Sequence, residues 1–330
     1  MRRFIMLVLM VAVIGGAFLL YPERDNIHSV SDAIGILKTS LDFPAEEPAA
    51  EGIFPVRERD GKSIRVASFN LGVLGPKKLQ DERAMSAIGK IIREFDIVAL
   101  QEIRSLRPDT MSQLMDWINF DGNRYDYVVS HRLGRTDQKE QYAFVYDRSS
   151  IELDRSQSYV VNDPEDLLHR EPFVVWCRVR GPEPDQAFTF SLVNVHTDPD
   201  EVRYELRWLD DVFEQVRDDG RGEDDVIMLG DLNTSDRSLG ELGRVVGLYP
   251  VIQKTATNTR GTEQYDNILL SLPATSEFSG RGGVYDFYNQ FDLTMEEALK
   301  ISDHLPVWAE FSLTEGGEAG YVAAQPREQR

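Results

Sequence analysis

Carboxylate, amide and imidazole side chains follow short apolar runs at six places along the chain. The polar residues at these places are Asn70, Glu102, His196, Asp231, Asn233, Asp266, Asp303 and His304. Each one alone has an ordinary structural explanation, because Asp and Asn are common turn formers and a lone histidine is more often structural than catalytic. Their recurrence at successive strand ends favours a functional site, since α/β folds commonly place such residues in the loops that follow strands.

The residue types indicate which chemistry such a site could perform. Glu102, Asp231 and Asp303 offer hard oxygen atoms, which suit Mg²⁺ or Ca²⁺ better than Zn²⁺. Two histidines among several carboxylates suit proton transfer at a phosphate. The sequence contains neither a nucleophile elbow nor a P-loop. It therefore gives no support to covalent serine chemistry or to the use of a nucleoside triphosphate.

The elements that must position these residues alternate between strands and helices. Strand-like apolar runs cover residues 64–71, 97–101, 127–129, 143–146, 173–180, 188–195, 226–229, 268–270 and 307–311. Helical periodicity is present at 84–95 and again at 202–216, where apolar residues recur on one face. This mixture predicts an α/β protein with helices covering sheets. Many of the strands are separated by turns, so the sheets should be partly antiparallel.

Length and composition are consistent with one large domain. The chain has 330 residues, of which 42% are hydrophobic and 28% charged. The net charge of −20 argues against a broad basic surface that binds nucleic acid, although it allows an enzyme that contacts a polyanion through a few arginines and a metal ion. Cys177 is the only cysteine, which excludes an intramolecular disulfide and a cysteine-based zinc site.

The N-terminus carries a targeting signal. Arg2 and Arg3 precede an uncharged run from Phe4 to Leu20, a pattern typical of a secretory signal or a signal anchor. The run is slightly shorter than the roughly 20 residues that span a bilayer. No Ala-x-Ala cleavage site follows it, which favours an uncleaved anchor with the globular part outside the cytoplasm. A cleaved signal would instead give a secreted protein.

These patterns divide the chain into four parts. A signal anchor or signal peptide covers residues 1–21, and a linker with a proline- and glutamate-containing end covers 22–60. The globular domain covers 61–313. The polar, glycine-containing stretch at 314–330 is predicted to be a flexible tail.

At the strand-end residues the sequence resembles the endonuclease/exonuclease/phosphatase superfamily, and within it the deoxyribonuclease I-like subgroup. The similarity runs from about residue 64 to residue 311, and its most specific segments are 133–144, 170–172 and 298–304. The resemblance implies an α/β fold, a four-layer sandwich of two mixed β-sheets flanked by helices. It also implies a divalent-metal-dependent phosphodiesterase, and more specifically an endonuclease that hydrolyses DNA.

The resemblance also implies a role for each site residue. The metal ligands would be Glu102, Asn70, Asp303 and Asp231, and the ion would be Mg²⁺, with Ca²⁺ or Mn²⁺ as alternatives. The catalytic residues would be His196, oriented by Glu140, and His304, oriented by Asp266, together with Asp231 and Asn233, which orient water, metal and phosphate. The residues that contact the substrate would be Arg104, Arg170 and Asn233.

Elementary chemistry agrees with those roles. Hydrolysis of a phosphodiester requires an activated water, neutralised charge on the phosphoryl oxygens and a protonated leaving group. A metal ion and Arg170 suit the second requirement, and the two histidines can share the first and the third. A carboxylate behind each imidazole fixes its tautomer and raises its pKa. Which histidine acts as the base stays open at this point.

Fewer residues indicate the identity of the substrate. Arg104 lies two positions after Glu102, a spacing at which deoxyribonuclease I-like proteins carry an arginine that enters the DNA minor groove. The sequence departs from that subgroup at Gln138, where the subgroup has tyrosine, and it lacks the subgroup's disulfides. The expected partners are DNA and, through the N-terminal segment, a membrane, with a monomeric catalytic domain. The alternatives are a phospholipid or phosphoinositide phosphodiesterase and a non-catalytic binding protein.

Overall fold

The computed structural model describes residues 61–120, 122–136 and 139–316. The predicted signal segment at 1–21, the linker at 22–60, Gln138 and residues 317–330 of the predicted tail lie outside the described residues. Within the described ranges, no helix is long and apolar enough to cross a membrane.

The described residues form the following strands and helices. The strands are β1 (Ser63–Leu74), β2 (Ile97–Ile103), β3 (Tyr125–Val129), β4 (Gln141–Asp147), β5 (Ile151–Leu153), β6 (Tyr159–Val160), β7 (Phe173–Val179), β8 (Thr189–His196), β9 (Val226–Asp231), β10 (Leu248–Pro250), β11 (Asp266–Ser271), β12 (Phe278–Val284) and β13 (Val307–Ser312). The helices are α1 (Pro76–Leu79), α2 (Glu82–Ile92), α3 (Thr110–Ile118), α4 (Val202–Glu205), α5 (Leu209–Arg217), α6 (Phe287–Gln290) and α7 (Met295–Ile301).

The strands are arranged in two mixed sheets. Sheet one has the order β12-β13-β1-β2-β4-β3, and sheet two has the order β10-β11-β9-β8-β7-β5, with β6 also paired to β7. Each sheet has one parallel pair at its centre, β1 with β2 and β8 with β9, while the other neighbours are antiparallel. These central strands are buried along almost their whole length because both of their faces are covered.

Helices cover the outer face of each sheet. Buried side chains of α2, α3 and α7 pack in one cluster with those of sheet one and with the inward side chains of sheet two. The helix α5 packs on the other face of sheet two, where Phe213 contributes to a second cluster with Trp176 and Val193. The predicted four-layer α/β sandwich is therefore confirmed.

The sequence-based elements differ from the structure at several places. All nine predicted strands are present, but β5, β6, β10 and β12 were not predicted. The prediction of one helix over 202–216 is wrong, because the segment divides into α4 and α5. The buried carboxylate of Glu205 accepts hydrogen bonds from the backbone N–H groups of His169 and Asp198, both at 2.6 Å. The backbone N–H of Trp208 bonds to Glu205 O at 2.9 Å, an i to i+3 bond that interrupts the α-helix.

The C-terminal end of the described chain is hydrogen-bonded to the body of the protein. Glu315 donates its backbone N–H to Gln186 O at 2.9 Å, and the backbone N–H of Gly316 bonds to Glu277 Oε1. Thr314 forms an isolated bridge with Ala187. The packed structure thus continues through Gly316, three residues into the segment predicted as a tail.

Candidate active site

The predicted site residues come together at one edge of the two sheets. The carboxyl ends of β1, β2, β8 and β9 reach this edge, and the antiparallel strands β11 and β13 begin there. The register places His196 opposite Asp231 and Asp231 opposite Asp266. Parallel pairing at the centre of each sheet is the reason that residues far apart in sequence share this edge.

Two histidines are each held by a buried carboxylate. His196 Nδ1 lies 2.8 Å from Glu140 Oε1, and His304 Nδ1 lies 2.9 Å from Asp266 Oδ2. Glu140 and Asp266 have side chains only 0% and 1% exposed. Because each carboxylate accepts a hydrogen bond from Nδ1–H, each imidazole presents its Nε2 atom to the space between them.

Asp231 lies between the two imidazoles. Its Oδ2 atom is 3.5 Å from His196 Nε2 and 3.6 Å from His304 Nε2. Asn70 donates its side-chain amide to the same Oδ2 at 2.9 Å, and the backbone N–H of Asn233 bonds to Oδ1 at 2.9 Å. The carboxylate is therefore fixed in orientation, with both histidines directed towards it.

The carboxylates shift the pKa values of both histidines upward. Burial lowers the pKa of His304, but the charges of Asp266 and Asp231 outweigh it and raise the value to about 10. Burial likewise opposes the charged form of His196, and the Glu140 and Asp231 carboxylates again raise its pKa. Burial alone would raise the pKa of Asp231, yet the facing imidazoles lower it. The site is thus built to stabilise imidazolium ions beside a carboxylate.

Hard oxygen donors lie around the β1 turn, the irregular stretch between Asn70 and Leu74 where the pairing of β1 with β2 shifts register. Glu102 has φ +62°, a backbone conformation that non-glycine residues rarely adopt, and its Oε2 accepts a hydrogen bond from Val73 N at 2.6 Å. Gly72 leaves room for Asp303, because a Cβ atom at Gly72 would lie 2.7 Å from Asp303 Oδ1. Two carboxylates thus converge on the same turn, with Asn70 just before it. This donor set fits Mg²⁺, which is bound through one or two carboxylates and retains several waters.

The two predicted substrate arginines contact site carboxylates. Arg104 Nη2 lies 3.1 Å from Glu102 Oε1, and Arg104 Nε lies 3.7 Å from Glu140 Oε2. Arg170 donates to His196 O at 3.1 Å and its Nε lies 3.4 Å from Glu140 Oε2. The side chain of Arg104 is 23% exposed and that of Arg170 is 3% exposed. Both therefore support the histidine side of the site, and their contact with substrate stays a prediction.

Several supporting residues were not predicted from the sequence. Gln101 and Asn194 join the two sheets directly behind the site, with Gln101 Nε2 bonded to Asn194 Oδ1 at 2.7 Å. The Thr257 hydroxyl donates to Asp266 Oδ2 at 2.7 Å, and the Ser302 hydroxyl donates to Asn70 O at 2.7 Å. Lys78 donates to backbone carbonyls on both sides of the β1 turn. Buried polar residues inside apolar strands were the available signal for Gln101 and Asn194.

An open groove borders the catalytic residues. It has a volume of about 910 Å³ and extends from Asn233 and Thr234 past Arg203 and Tyr204 to Arg135. Arg135 is paired with Asp166 at 3.0 Å and with Glu201 at 2.9 Å across this groove. Asn233 is the predicted site residue that lines this groove.

Comparison with known proteins identifies the family. The model of the endonuclease/exonuclease/phosphatase family matches residues 67–304. The chain belongs to this family. It is 33% identical to mouse deoxyribonuclease gamma over 79% of this chain and 88% of that protein, and 30% identical to bovine deoxyribonuclease-1 over 75% and 92%. The predicted likeness to deoxyribonuclease I is thereby confirmed.

Solved structures agree on the fold. The truncated Caenorhabditis elegans protein TDP2 matches with a TM-score of 0.54 at 16% identity, over 76% of this chain and 98% of that one. The catalytic domain of human Nocturnin matches with a TM-score of 0.51 at 17% identity, over 76% and 95%. Identities this low support the shared architecture alone.

Proposed function

We propose that this protein is a divalent-metal-dependent endonuclease that hydrolyses DNA phosphodiester bonds by two-histidine acid–base catalysis. The observation that carries the proposal is the convergence of two carboxylate-backed imidazoles on Asp231, whose Oδ2 lies 3.5 and 3.6 Å from their Nε2 atoms. The sequence relatives named as deoxyribonucleases support DNA as the substrate.

The two imidazoles would divide the proton transfers. A phosphodiester placed between the Nε2 atoms of His196 and His304 has an acid–base group on each side, so one can take a proton from water while the other protonates the leaving oxygen. Glu140 and Asp266 stabilise the cationic form of each ring and hold its orientation. Positioned groups of this kind accelerate such reactions by about 10²–10⁴-fold.

Charge on the phosphate would be neutralised at the β1 turn. Glu102, Asp303 and Asn70 are the residues that would hold Mg²⁺, and the ion would supply a positive charge to the phosphoryl oxygens. Asn233 has its side-chain amide fixed by a bond to Thr197 O at 2.9 Å and adopts φ +48°. This arrangement directs its remaining polar atoms towards the groove, where they can orient the substrate.

A panel of substrates tests the proposed activity. The protein is incubated with plasmid DNA, RNA and phospholipid, each with Mg²⁺, Ca²⁺ or EDTA. We expect DNA cleavage with Mg²⁺ that EDTA abolishes. Hydrolysis of phospholipid without cleavage of DNA would instead establish the lipid alternative, and inactivity towards all three would favour a binding protein.

The histidine variants test the mechanism. His196→Ala and His304→Ala should each lower the turnover number for DNA cleavage by about 10²–10⁴-fold, while circular dichroism and the melting temperature stay close to those of the parent. Activity within tenfold of the parent for both variants would contradict the two-histidine mechanism.

We also propose that the N-terminal segment tethers the enzyme to a membrane with the catalytic domain outside the cytoplasm. The support is the basic start at Arg2 and Arg3, the uncharged run from Phe4 to Leu20 and the absence of a cleavage motif. A cleaved signal and a secreted enzyme form the alternative.

A further inference from the structure

A second group of acidic residues lies at the opposite edge of the sandwich from the candidate active site. The acidic cluster consists of Glu223, Asp225, Glu277 and Glu315. Asp225 directly precedes β9, and Asp231 ends the same strand, so the two edges are roughly 20 Å apart at the rise of a β-strand. The acidic cluster is therefore separate from the proposed catalytic metal site.

The acidic cluster joins the two sheets. Glu223 and Asp225 precede β9 of sheet two, whereas Glu277 precedes β12 and Glu315 follows β13 of sheet one. Ligand oxygens of Asp225, Glu277 and Glu315 lie within 4.8 Å of one another. Carboxylates from three separate segments of the chain thus meet at one point between the sheets.

Three of the four carboxylates in the acidic cluster are oriented by backbone N–H groups. The N–H of Asp225 donates to Glu223 Oε1 at 2.9 Å, and the N–H of Thr189 donates to Glu315 Oε2 at 3.1 Å. The N–H of Gly316 bonds to Glu277 Oε1. One oxygen of each of these three side chains is thereby fixed, which leaves the second oxygen available to a ligand.

Several of the remaining oxygens are buried without a partner. Glu223, Asp225 and Glu277 are only 2%, 2% and 3% exposed. Glu223 Oε2, Asp225 Oδ1 and Glu277 Oε2 accept no hydrogen bond of good geometry. The neutral hydroxyls of Thr189 and Thr275 lie against Glu223 and Asp225 and offset their burial only in part. Such atoms carry a desolvation cost unless a donor or a cation satisfies them. The burial of these oxygens therefore indicates that a ligand satisfies them.

The carboxylates of the acidic cluster also repel one another. The charges that act most strongly on Glu223, Asp225 and Glu315 are those of neighbouring carboxylates, which disfavour ionisation. Burial, together with repulsion by Glu277 and Glu223, raises the pKa of Asp225 to about 9. Burial raises the pKa of Glu223 and of Glu315 to about 7 each. The ionised cluster is therefore unfavourable without a bound cation.

We propose that the acidic cluster binds a structural divalent cation, and that Ca²⁺ matches it best. Ca²⁺ takes six to eight oxygen ligands in flexible geometry, which several carboxylates and a threonine hydroxyl can provide together with water. A bound ion would fasten the segment around Glu315 to the start of β9 and so hold the two sheets together at this edge. Its effect is on stability, and the proposal does not depend on the catalytic reaction.

Calcium titration of the full-length protein in detergent tests the site. The protein is freed of metal with EDTA, exchanged into metal-free buffer and titrated calorimetrically with Ca²⁺. The isosteric double variant Asp225→Asn/Glu277→Gln should bind one Ca²⁺ fewer than the parent. Equal Ca²⁺ stoichiometry in the parent and the double variant would overturn the proposal.

Thermal unfolding provides the second measurement. At a Ca²⁺ concentration about 100 times the dissociation constant, the parent should melt roughly 5–10 °C higher than in EDTA. The double variant should lose this response and should melt at or above the parent in EDTA, because neutral amides replace two buried carboxyl groups that repel their neighbours when ionised. An equal calcium response in the parent and the double variant would contradict the site.

Two further variants make the result specific. Asp218→Asn/Glu296→Gln removes the same charge from exposed positions and should keep the calcium response of the parent. Glu315→Gln changes a half-buried member of the acidic cluster and should weaken Ca²⁺ binding even if the double variant does not fold. An unchanged Ca²⁺ affinity in Glu315→Gln would also count against the proposal.

Discussion

At the scale of single residues, the site depends on how each polar atom is held. Asp231 receives hydrogen bonds from Asn70 and from the backbone of Asn233, and it faces His196 and His304. It cannot turn away from the imidazoles without breaking one of these bonds. Because Asp231, Asn70 and both histidines are buried, their interactions are stronger than they would be in water, and loss of one partner leaves another group unsatisfied.

Replacing Arg104 should affect both the rate of phosphodiester hydrolysis and the preference for duplex DNA. Its guanidinium lies 3.1 Å from Glu102 and 3.7 Å from Glu140, so Arg104→Ala should reduce hydrolysis of bis(nitrophenyl) phosphate by about 10–100-fold through the loss of charged contacts. If the side chain also enters a minor groove, duplex cleavage should fall further. The comparison is made at fixed salt, because phosphate contacts depend on ionic strength. Equal losses on both substrates would limit Arg104 to a supporting role.

The residue types of the site could be predicted from the sequence, but their pairing could not be derived from it. Glu140 and His196 are 56 positions apart and meet only because β4 and β8 face each other. Their pairing came from the resemblance to a family. The contacts of Arg104 and Arg170 with Glu140 depend on side-chain packing, which the spacing of residues in the sequence does not predict.

At the scale of secondary-structure elements, the strands were predictable where both faces are buried. The central strands β8 and β9 are rich in apolar residues, whereas β12 contains Gly280, Gly282 and Gly283 and lacks a strand pattern. Gly282 has a packing reason, because a Cβ atom there would lie 2.3 Å from Val251 Cγ1. The split between α4 and α5 depends on the buried Glu205, which a periodicity of apolar residues does not reveal.

Lys78 on α1 should position the metal-binding turn. Its ammonium group donates to Gly72 O at 2.5 Å, to Ile301 O at 2.8 Å and also to Leu71 O, which joins the end of β1 to the end of α7. Lys78→Met keeps the apolar stem but leaves these carbonyls without a donor, so we expect a loss of about 2–4 kcal/mol in the free energy of unfolding. Mg²⁺ affinity should fall as well, as measured by the metal dependence of activity.

The adjacent Lys77 provides the matched control for this experiment. Lys77 is exposed on the same short helix, so Lys77→Met should leave both unfolding and metal dependence near those of the parent. If Lys78→Met behaved like Lys77→Met in denaturant unfolding and in Mg²⁺ titration, the positioning role would be wrong.

Gly230 should be essential for bringing β8 and β9 together. A Cβ atom at this position would lie 1.9 Å from Val195 O, and the residue has φ +150°. Gly230→Ala must therefore displace β8, which carries His196, from β9, which carries Asp231. We expect a lower melting temperature and loss of DNA cleavage. Gly75→Ala, where the nearest atom would be 3.8 Å away, should be tolerated, and similar melting of both variants would contradict the close approach.

At the scale of the whole molecule, the net negative charge restricts where a polyanionic substrate can bind. The net charge of −20 does not favour binding a polyanion over a broad surface, so substrate binding must be concentrated where metal and arginines can offset it. The two ends of the sandwich then differ in role. One edge presents histidines and hard oxygen donors, while the opposite edge carries the acidic cluster that links the sheets.

The N-terminal segment should determine where this enzyme acts. The uncharged run from Phe4 to Leu20 follows two arginines and approaches the length that spans a bilayer, so the full-length protein should sediment with membranes in high salt and dissolve only in detergent. High salt removes proteins held by surface charge, whereas an inserted apolar segment is held by the hydrophobic effect and needs a micelle. Deleting residues 1–22 should release an active enzyme into the soluble fraction. A soluble, N-terminally trimmed protein from the full-length gene would instead demonstrate a cleaved signal and a secreted enzyme.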